Sequence, residues 1–307
     1  MISFVVLHYL VTDETIATVK SILDNVKDCY IIIVDNDSPN NSFEDLVAFY
    51  SEYNNVFVIK NVENTGYAGG INFGYDYSLS NLNPDFIVAM NNDMELTQKD
   101  FSSKVREIYE RTNFYVLGPD IYSTSAKRHQ NPEKTSLRSL EEVENEINKI
   151  KSLKNKQFIL TLKSFLKSVS LIDKLYYQIK NLSGKNNSHV STEIENPMLH
   201  GSFYIFSKKF FESRDYALYP KTSFYCEAQI LDYECKRDKL TQIYTPEIVV
   251  LHHEDVATNA VIGSLKNKMN MKYDKLLESL SIFKELIEED MKSLSTLLEN
   301  FSLLELL

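Results

Sequence analysis

Four short polar runs gather side chains able to bind a cation, a hydroxyl group or a ring. They are His8-Tyr9, Asp35-Asn36-Asp37-Ser38, Asn64-Thr65-Gly66-Tyr67-Ala68-Gly69-Gly70-Ile71-Asn72 and Asn91-Asn92-Asp93-Met94-Glu95. Each follows an apolar run: Ile2–Leu7, Tyr30–Val34, Val56–Ile59 and Phe86–Met90. Carboxylates accept hydrogen bonds from hydroxyls and amides and supply oxygen ligands to hard cations. In an open α/β sheet such groups gather on one rim, beyond the carboxyl ends of the strands, where ligands bind. The clustering of four polar ends carries more weight than any one run. Taken singly, Asp35 to Ser38 also suits a helix cap and turn, because Asp, Asn and Ser bond nearby backbone amides. A tyrosine in the position of Tyr9 is ordinarily half-buried packing. The glycine-rich run follows the third strand rather than the first and lacks the G-x-G-x-x-G spacing, so it is not a dinucleotide fingerprint. Its glycines also permit a tight turn and close helix packing.

The elements that must position these residues are legible as alternating patterns. Thr15 to Leu23 places Ile16, Val19, Ile22 and Leu23 at helical spacing. Phe43 to Tyr53, Gly70 to Ser78 and Asp100 to Arg111 also read as helices, and Phe114–Leu117 reads as a fifth strand. Continuous apolar strands separated by helices imply an α/β fold with a mostly parallel central sheet covered on both faces. Strand-like segments return at Phe203–Phe206 and Ile243–Leu251, with a helix expected from Glu227 to Arg237 between them.

Between these two halves the composition shifts. Lys149 to Lys185 holds nine lysines and one acidic residue, Asp173, a local charge of +8 that leaves −18 on the rest of the chain. With Phe158, Leu162, Phe165, Leu166 and Val169 it forms a basic amphipathic helical insertion. Such a segment either lies on an anionic bilayer surface or packs as a solvated helix on its own domain. From Gly263 onward the chain reads as amphipathic helix, suited to cap the domain or to contact a second copy.

Composition bounds the remaining choices. The 307 residues carry a net charge of −10, and 43% of them are apolar, so the chain is neither disordered nor fibrous. The acidic balance counts against a general nucleic-acid binder. Cys29, Cys226 and Cys235 match neither a disulfide framework nor a zinc motif, and fit a reducing cytoplasm. The apolar start lacks the basic flank of a signal peptide and reads as a buried strand. No stretch reaches the roughly 18 apolar residues of a membrane span.

As an ordered set, several motifs resemble the family 2 glycosyltransferases of GT-A fold, in particular a bacterial rhamnosyltransferase-like branch, over roughly Ile2 to Leu280. They are Leu7-His8-Tyr9, Val34 to Ser38, Asn64 to Gly74, Met90-Asn91-Asn92-Asp93, Gly201-Ser202-Phe203 and Val250-Leu251-His252-His253-Glu254-Asp255. The resemblance implies that Tyr9 stacks on a pyrimidine base and that Asp35 and Asn36 bond the base and ribose. The Gly66 to Asn72 segment completes the nucleotide pocket. Asn92 and Asp93 fall in the family's DXD motif, whose last Asp coordinates a divalent cation, Mn²⁺ or Mg²⁺, on the diphosphate. The first position here is Asn91, so the motif offers one firm carboxylate, with Glu95 as an available assistant. His252 matches a late histidine near the diphosphate or metal, and His253 competes for that role.

An inverting transfer needs a general base for the acceptor hydroxyl. In the family it comes from an acidic pair opening a helix. Glu227 matches the first position, whereas Ala228 replaces the second, which often carries the base; Asp232 is a substitute. Glu227 also suits a helix N-terminus for purely electrostatic reasons. Gln130, in the run His129-Gln130-Asn131-Pro132, and His200, Gly201 and Ser202 fall on the acceptor side.

The implied domains are a GT-A domain over 1–262 and a C-terminal helical extension over 263–307. Within the former lie a nucleotide-sugar half (1–120), the basic insertion (135–190) and an acceptor half (196–262). The implied activity moves a hexose or deoxyhexose from a UDP- or dTDP-sugar to a hydroxyl of a growing bacterial surface glycan, lipid-linked or protein-linked. The enzyme would be cytoplasmic, touch the inner membrane leaflet through its insertion, and self-associate through its C-terminal helices. A sugar nucleotidyltransferase would need a glycine-rich phosphate loop after the first strand, where this chain has Tyr9-Leu10-Val11-Thr12-Asp13. A catalytically silent glycan- or nucleotide-sugar-binding protein on the same fold is consistent with the missing second acidic residue.

Overall fold

Ile31-Ile32-Ile33-Val34 presents β-branched side chains to both sides of the chain, as do Val5 and Val6, so neither face of such a strand can be left to water. In the computed structural model both runs are central parallel strands with every one of these side chains buried. The structure describes residues 1–134, 136–165, 189–253 and 265–304, with side chains over 1–134, 136–156, 189–253 and 270–296. Most of the basic stretch and the motif residues Glu254 and Asp255 lie outside the described residues.

The chain divides into two compact units, Met1–Ser136 with Asn186–Ser264, and Leu137–Lys185 with Leu265–Leu307. The strands of the first unit are β1 (Ile2–His8), β2 (Cys29–Asp35), β3 (Val56–Lys60), β4 (Phe86–Asn91), β5 (Met94–Leu96), β6 (Val116–Ser123), β7 (Arg128–His129), β8 (Ile194–Glu195), β9 (Phe203–Ser207) and β10 (Gln242–His252). Its helices are α1 (Thr12–Asn25), α2 (Ser42–Phe49), α3 (Gly66–Asn81), α4 (Phe101–Thr112), α6 (Lys208–Ser213) and α7 (Glu227–Arg237). The second unit holds α5 (Leu140–Phe165) and α8 (Leu265–Leu304).

One sheet takes the order β3-β2-β1-β4-β9-β6-β10-β5, with β7 on β6 and β8 on β10. Its long ladders, β1 with β2 and β4, β2 with β3, and β6 with β10, are parallel. The expected strand at Phe203–Phe206 is β9, and it runs antiparallel between β4 and β6, joining the two parallel halves. Alternate side chains feed two cores. Phe4, Val6, Ile31 and Ile33 join Val19, Ile22, Phe101 and Val105 of α1 and α4 on one face. Val5, Ile32 and Val34 join Ile71 and Tyr75 of α3 and Leu231 of α7 on the other.

Several expected elements have different bounds: α1 begins at Thr12 rather than Thr15, and the strand read at Phe114–Leu117 is β6, Val116–Ser123. α2 stops at Phe49, short of Tyr53, and α3 begins at Gly66, four residues before the apolar periodicity starts. Glycine hides that first turn from a propensity reading, yet two glycines let α3 lie against the sheet. A Cβ on Gly70 would stand 2.4 Å from Leu7 Cδ1, and one on Gly74 would stand 2.4 Å from Val5 Cγ1 and 2.7 Å from Val34 Cγ2. β5, β7 and β8 were not legible, because three residues or fewer carry no periodicity.

In the second unit α5 and α8 are joined by ion pairs from Lys154 to Asp274 and from Lys284 to Glu144, the latter at 2.8 Å. No described helix is long and apolar enough to cross a membrane.

Gly74→Ala is expected to push α3 off the sheet. Overpacking of this kind costs about 1–3 kcal/mol, against the ~1 kcal/mol that alanine gains in helix propensity. The net loss should appear as a lower urea midpoint with an unchanged slope.

Candidate active site

Parallel pairing sets His8 opposite Asp35 and Leu7 opposite Asn91. Tyr9, Asp35 and the Asn92-Asp93 turn therefore leave three adjacent strands on the same rim. Tyr9 is half-buried. The loop that carries it is tied to the loop after β2: Leu10 N–H donates to Ser38 Oγ at 2.9 Å, and Asn40 Nδ2 donates to the Leu10 carbonyl at 2.9 Å. Leu10 takes a φ of 67° to make this bend. Asp35 is fully buried. Its Oδ2 accepts from Ser38 N–H at 3.2 Å, while Oδ1 has no hydrogen-bond partner. Beneath it, burial pushes the His8 imidazole down to about 4 against the opposing pull of Asp35. His8 is thus neutral, and its ring nitrogens pair with Thr15 and Ser42 hydroxyls.

Asp93 Oδ1 is also buried without a hydrogen-bond partner and lies 3.3 Å from His252 Nε2. Gln130 Oε1 accepts from His252 Nδ1 at 2.7 Å, which leaves the lone pair of a neutral ring on Nε2, toward Asp93. Neighbouring ligands of an octahedral cation with bonds near 2.1 Å stand roughly 3 Å apart. Asp93 and His252 would therefore suit two adjacent positions on one divalent ion.

Glu227 opens α7. Its carboxyl is buried, Oε1 has no hydrogen-bond partner, and burial pushes it up to about 7. Tyr67 links this group to the rim: its hydroxyl donates to the Gly201 carbonyl at 2.6 Å, and burial, then Glu227, then Asp93 raise its pKa. A Cβ on Gly201 would lie 4.0 Å from Ala228 Cβ, so that strand end faces the start of α7. His200 adjoins Ser202, with Nδ1 2.9 Å from its hydroxyl, and its ring stands 6.0 Å from that of His252. The strand-end rim, the start of β9 and the start of α7 thus meet around Asp93, Tyr67 and Glu227.

The family model described as Glycosyl transferase family 2 matches residues 3–227. The chain belongs to this family. Over 145 residues it is 27% identical to the low-salt glycan biosynthesis hexosyltransferase Agl10 of Haloferax volcanii, covering 45% of this chain and 43% of that protein, so the match spans less than half of that relative. A crystal structure of GalNAc-T7 with UDP, GalNAc and Mn²⁺ superposes with a TM-score of 0.52 at 12% identity, over 83% of this chain and 44% of that one, a likeness of fold alone. A crystal structure of S. aureus TarS 1-349 gives a TM-score of 0.48 at 11% identity, over 82% and 60% of the two chains. The fold is of the GT-A type.

Several polar side chains of the glycosyltransferase motifs are spent on the chain itself. Asn36 gives Nδ2 to the Gly66 carbonyl at 2.9 Å and to Asn64 Oδ1 at 3.2 Å, and its Oδ1 accepts from Asn61 and Thr65. Asn72 clasps Ala217 and Leu218: two backbone N–H groups donate to its Oδ1, and its Nδ2 donates to the Leu218 carbonyl at 2.7 Å. Asn92 Nδ2 donates to Thr15 Oγ1 at 3.0 Å. Gly66, with φ at 76°, would place a Cβ 2.0 Å from the Ser223 carbonyl oxygen, so only glycine fits between the two loops. These residues shape the rim rather than face it.

The two histidines of β10 and its end separate. His252 turns to Asp93, while His253 pairs its Nε2 with Glu95 at 2.9 Å, so Glu95 assists His253 and not Asp93. Asp232 is engaged by Ser136, Lys236 and Gln242, which leaves it unfit as a substitute base. The cavity of about 370 Å³ beside α1, lined by Glu14, Lys20, Glu95 and His253, includes none of the residues around Glu227. Tyr67 had no role in the sequence reading, although it stands inside the glycine-rich motif.

Two outcomes follow from these contacts. Glu227 ionises near 7 when folded and near 4.5 when unfolded, so the folded state keeps its proton between those values and the protein loses stability across that window as pH rises. Glu227→Gln removes this loss. It should be the more stable form above about pH 7, by on the order of 3 kcal/mol, and the gap should close below about pH 4.5, read by urea melts across pH. Gln130→Leu should weaken Mn²⁺ binding by about 10–100-fold with the fold intact, as expected when the partner that orients a ligating histidine is lost; isothermal titration measures it.

Proposed function

We propose that this glycosyltransferase is an inverting, metal-dependent hexosyltransferase. It would transfer a hexose or deoxyhexose from a UDP- or dTDP-sugar to a hydroxyl of a growing surface glycan. The observation that carries this reading is the Glu227 carboxyl, buried, with Oε1 unpartnered, and held near 7, beside the strand end that Tyr67 ties to the rim. A base with that pKa takes a proton at neutral pH yet is readily ionised beforehand. The hexosyltransferase name of the Haloferax relative supports the sugar class.

In one displacement, Glu227 accepts the proton of the acceptor hydroxyl as its oxygen attacks the anomeric carbon. The bond from that carbon to the diphosphate oxygen breaks, and the nucleoside diphosphate departs. Tyr9 stacks on the base, and the Asp35 carboxylate accepts a hydrogen bond from the nucleoside. Asp93 and His252 would hold a divalent cation, which when bound would offset charge on the departing diphosphate. His200, Ser202 and Gln130 border the acceptor side. The +8 charge of Lys149 to Lys185 suits an anionic leaflet and a lipid-linked acceptor.

A panel of nucleotide sugars with Mn²⁺ tests the reading through release of UDP or dTDP and formation of product. Glu227→Gln should cut transfer by about 10²–10⁴-fold while nucleotide binding persists. In the wild type, kcat/KM should rise with pH to a plateau above about 7, the ionised base being the active form. Transfer undiminished in Glu227→Gln places the base elsewhere. Nucleotide binding with no turnover for any sugar favours a silent binding protein.

A further inference from the structure

We propose that Asp120, His129 and His189 form a second metal site, distinct from Asp93 and His252, whose ligand is Zn²⁺. Asp120 on β6 is 1% exposed, and its ion-pair partners among the described residues are these two histidines. A buried carboxylate needs a compensating charge, and neither imidazole is a fixed one. A divalent ion supplies it.

The donor atoms are already gathered. His129 Nδ1 lies 2.9 Å from both Asp120 oxygens, and His189 Nε2 lies 3.7 Å from Oδ2. All three ligand atoms fall within 4.8 Å of one another. Ligands of a tetrahedral Zn²⁺ with bonds of 2.0–2.2 Å stand roughly 3.4 Å apart, so a small swing of the exposed His189 side chain closes the triangle. The backbone holds all three positions. His129 pairs with Tyr122 across the β6–β7 ladder, and the Val190 carbonyl, next to His189, accepts from Tyr244 of β10 at 2.8 Å. Two imidazoles and one carboxylate make a nitrogen-rich set that favours Zn²⁺ over Mg²⁺. Three protein ligands leave the fourth position to water. The ion would pin β7, and with it the adjacent Gln130 that orients His252.

The test uses the full chain, stripped with a chelator and titrated with Zn²⁺ alone, then with Zn²⁺ in excess Mg²⁺. The wild type should hold one Zn²⁺ that excess Mg²⁺ does not displace. His189→Ala, a change at an exposed side chain that leaves the fold intact, should weaken this binding by at least about 10-fold. It should also abolish the intense visible absorption of tetrahedral Co²⁺ substituted at the site. Asp93→Asn should retain both. The proposal falls if His189→Ala binds Zn²⁺ as the wild type does, if Asp93→Asn loses the ion, or if the wild type binds no Zn²⁺.

Discussion

Pairing His8 with Asp35 and Leu7 with Asn91 makes β2, β1 and β4 end flush, and the chain then has no choice about where its polar exits lie. A parallel register can slip only by moving buried side chains to the opposite face. Here Phe4 and Val6 belong to one core and Val5 to the other, so a slip of one residue would scramble both. The rim is thus fixed by apolar packing well below it. Asn36 transmits this order outward. It leaves the end of β2 and uses its whole amide to hold Asn61, Asn64, Thr65 and Gly66, which lead into α3.

Against this well-satisfied background, the exceptions are informative. Folded proteins leave few buried polar atoms without partners, since each costs about 1–3 kcal/mol. Among the described residues seven side-chain atoms are of this kind, and three of them, Asp35 Oδ1, Asp93 Oδ1 and Glu227 Oε1, belong to the candidate site; the others are on Tyr75, Arg128, Tyr204 and Arg214. By contrast, the buried Asp232 and Glu234 of α7 are fully engaged, Glu234 by Arg214 and Tyr216. The same helix therefore carries structural acids whose charges are met and one acid whose charge is not.

The strand ends were legible in the sequence because β-branched runs stop abruptly at polar residues, and so the rim of Tyr9, Asp35 and Asp93 could be drawn in advance. What a polar residue does once at the rim was not legible. Asn36 and Asn72 have the chemistry of ligand groups, but partners at least 25 residues away consume them. The choice between His252 and His253 depends on the alternation of side chains as β10 ends, where a register shift between Thr245 and Val249 precedes them. Asp120 with His129 and His189 could not have been seen, since the three spacings match no motif and only the β6–β7 ladder brings the first two together.

The placement of Glu227 depends on backbone strain next to it. Tyr225 and Cys226 both adopt positive φ, at 69° and 66°, a conformation that costs a non-glycine residue roughly 1–2 kcal/mol. Such strain persists only where surrounding contacts over-determine it. Those contacts come from the donor side: Tyr67 N–H donates to the Ser223 carbonyl at 2.8 Å, and Gly66 gives the room for that approach. The glycine-rich motif therefore does more than open α3. It presses on the loop that ends in Glu227, so the group proposed to take the acceptor's proton and the loops proposed to hold the donor are set by one set of contacts, and movement of either must move the other.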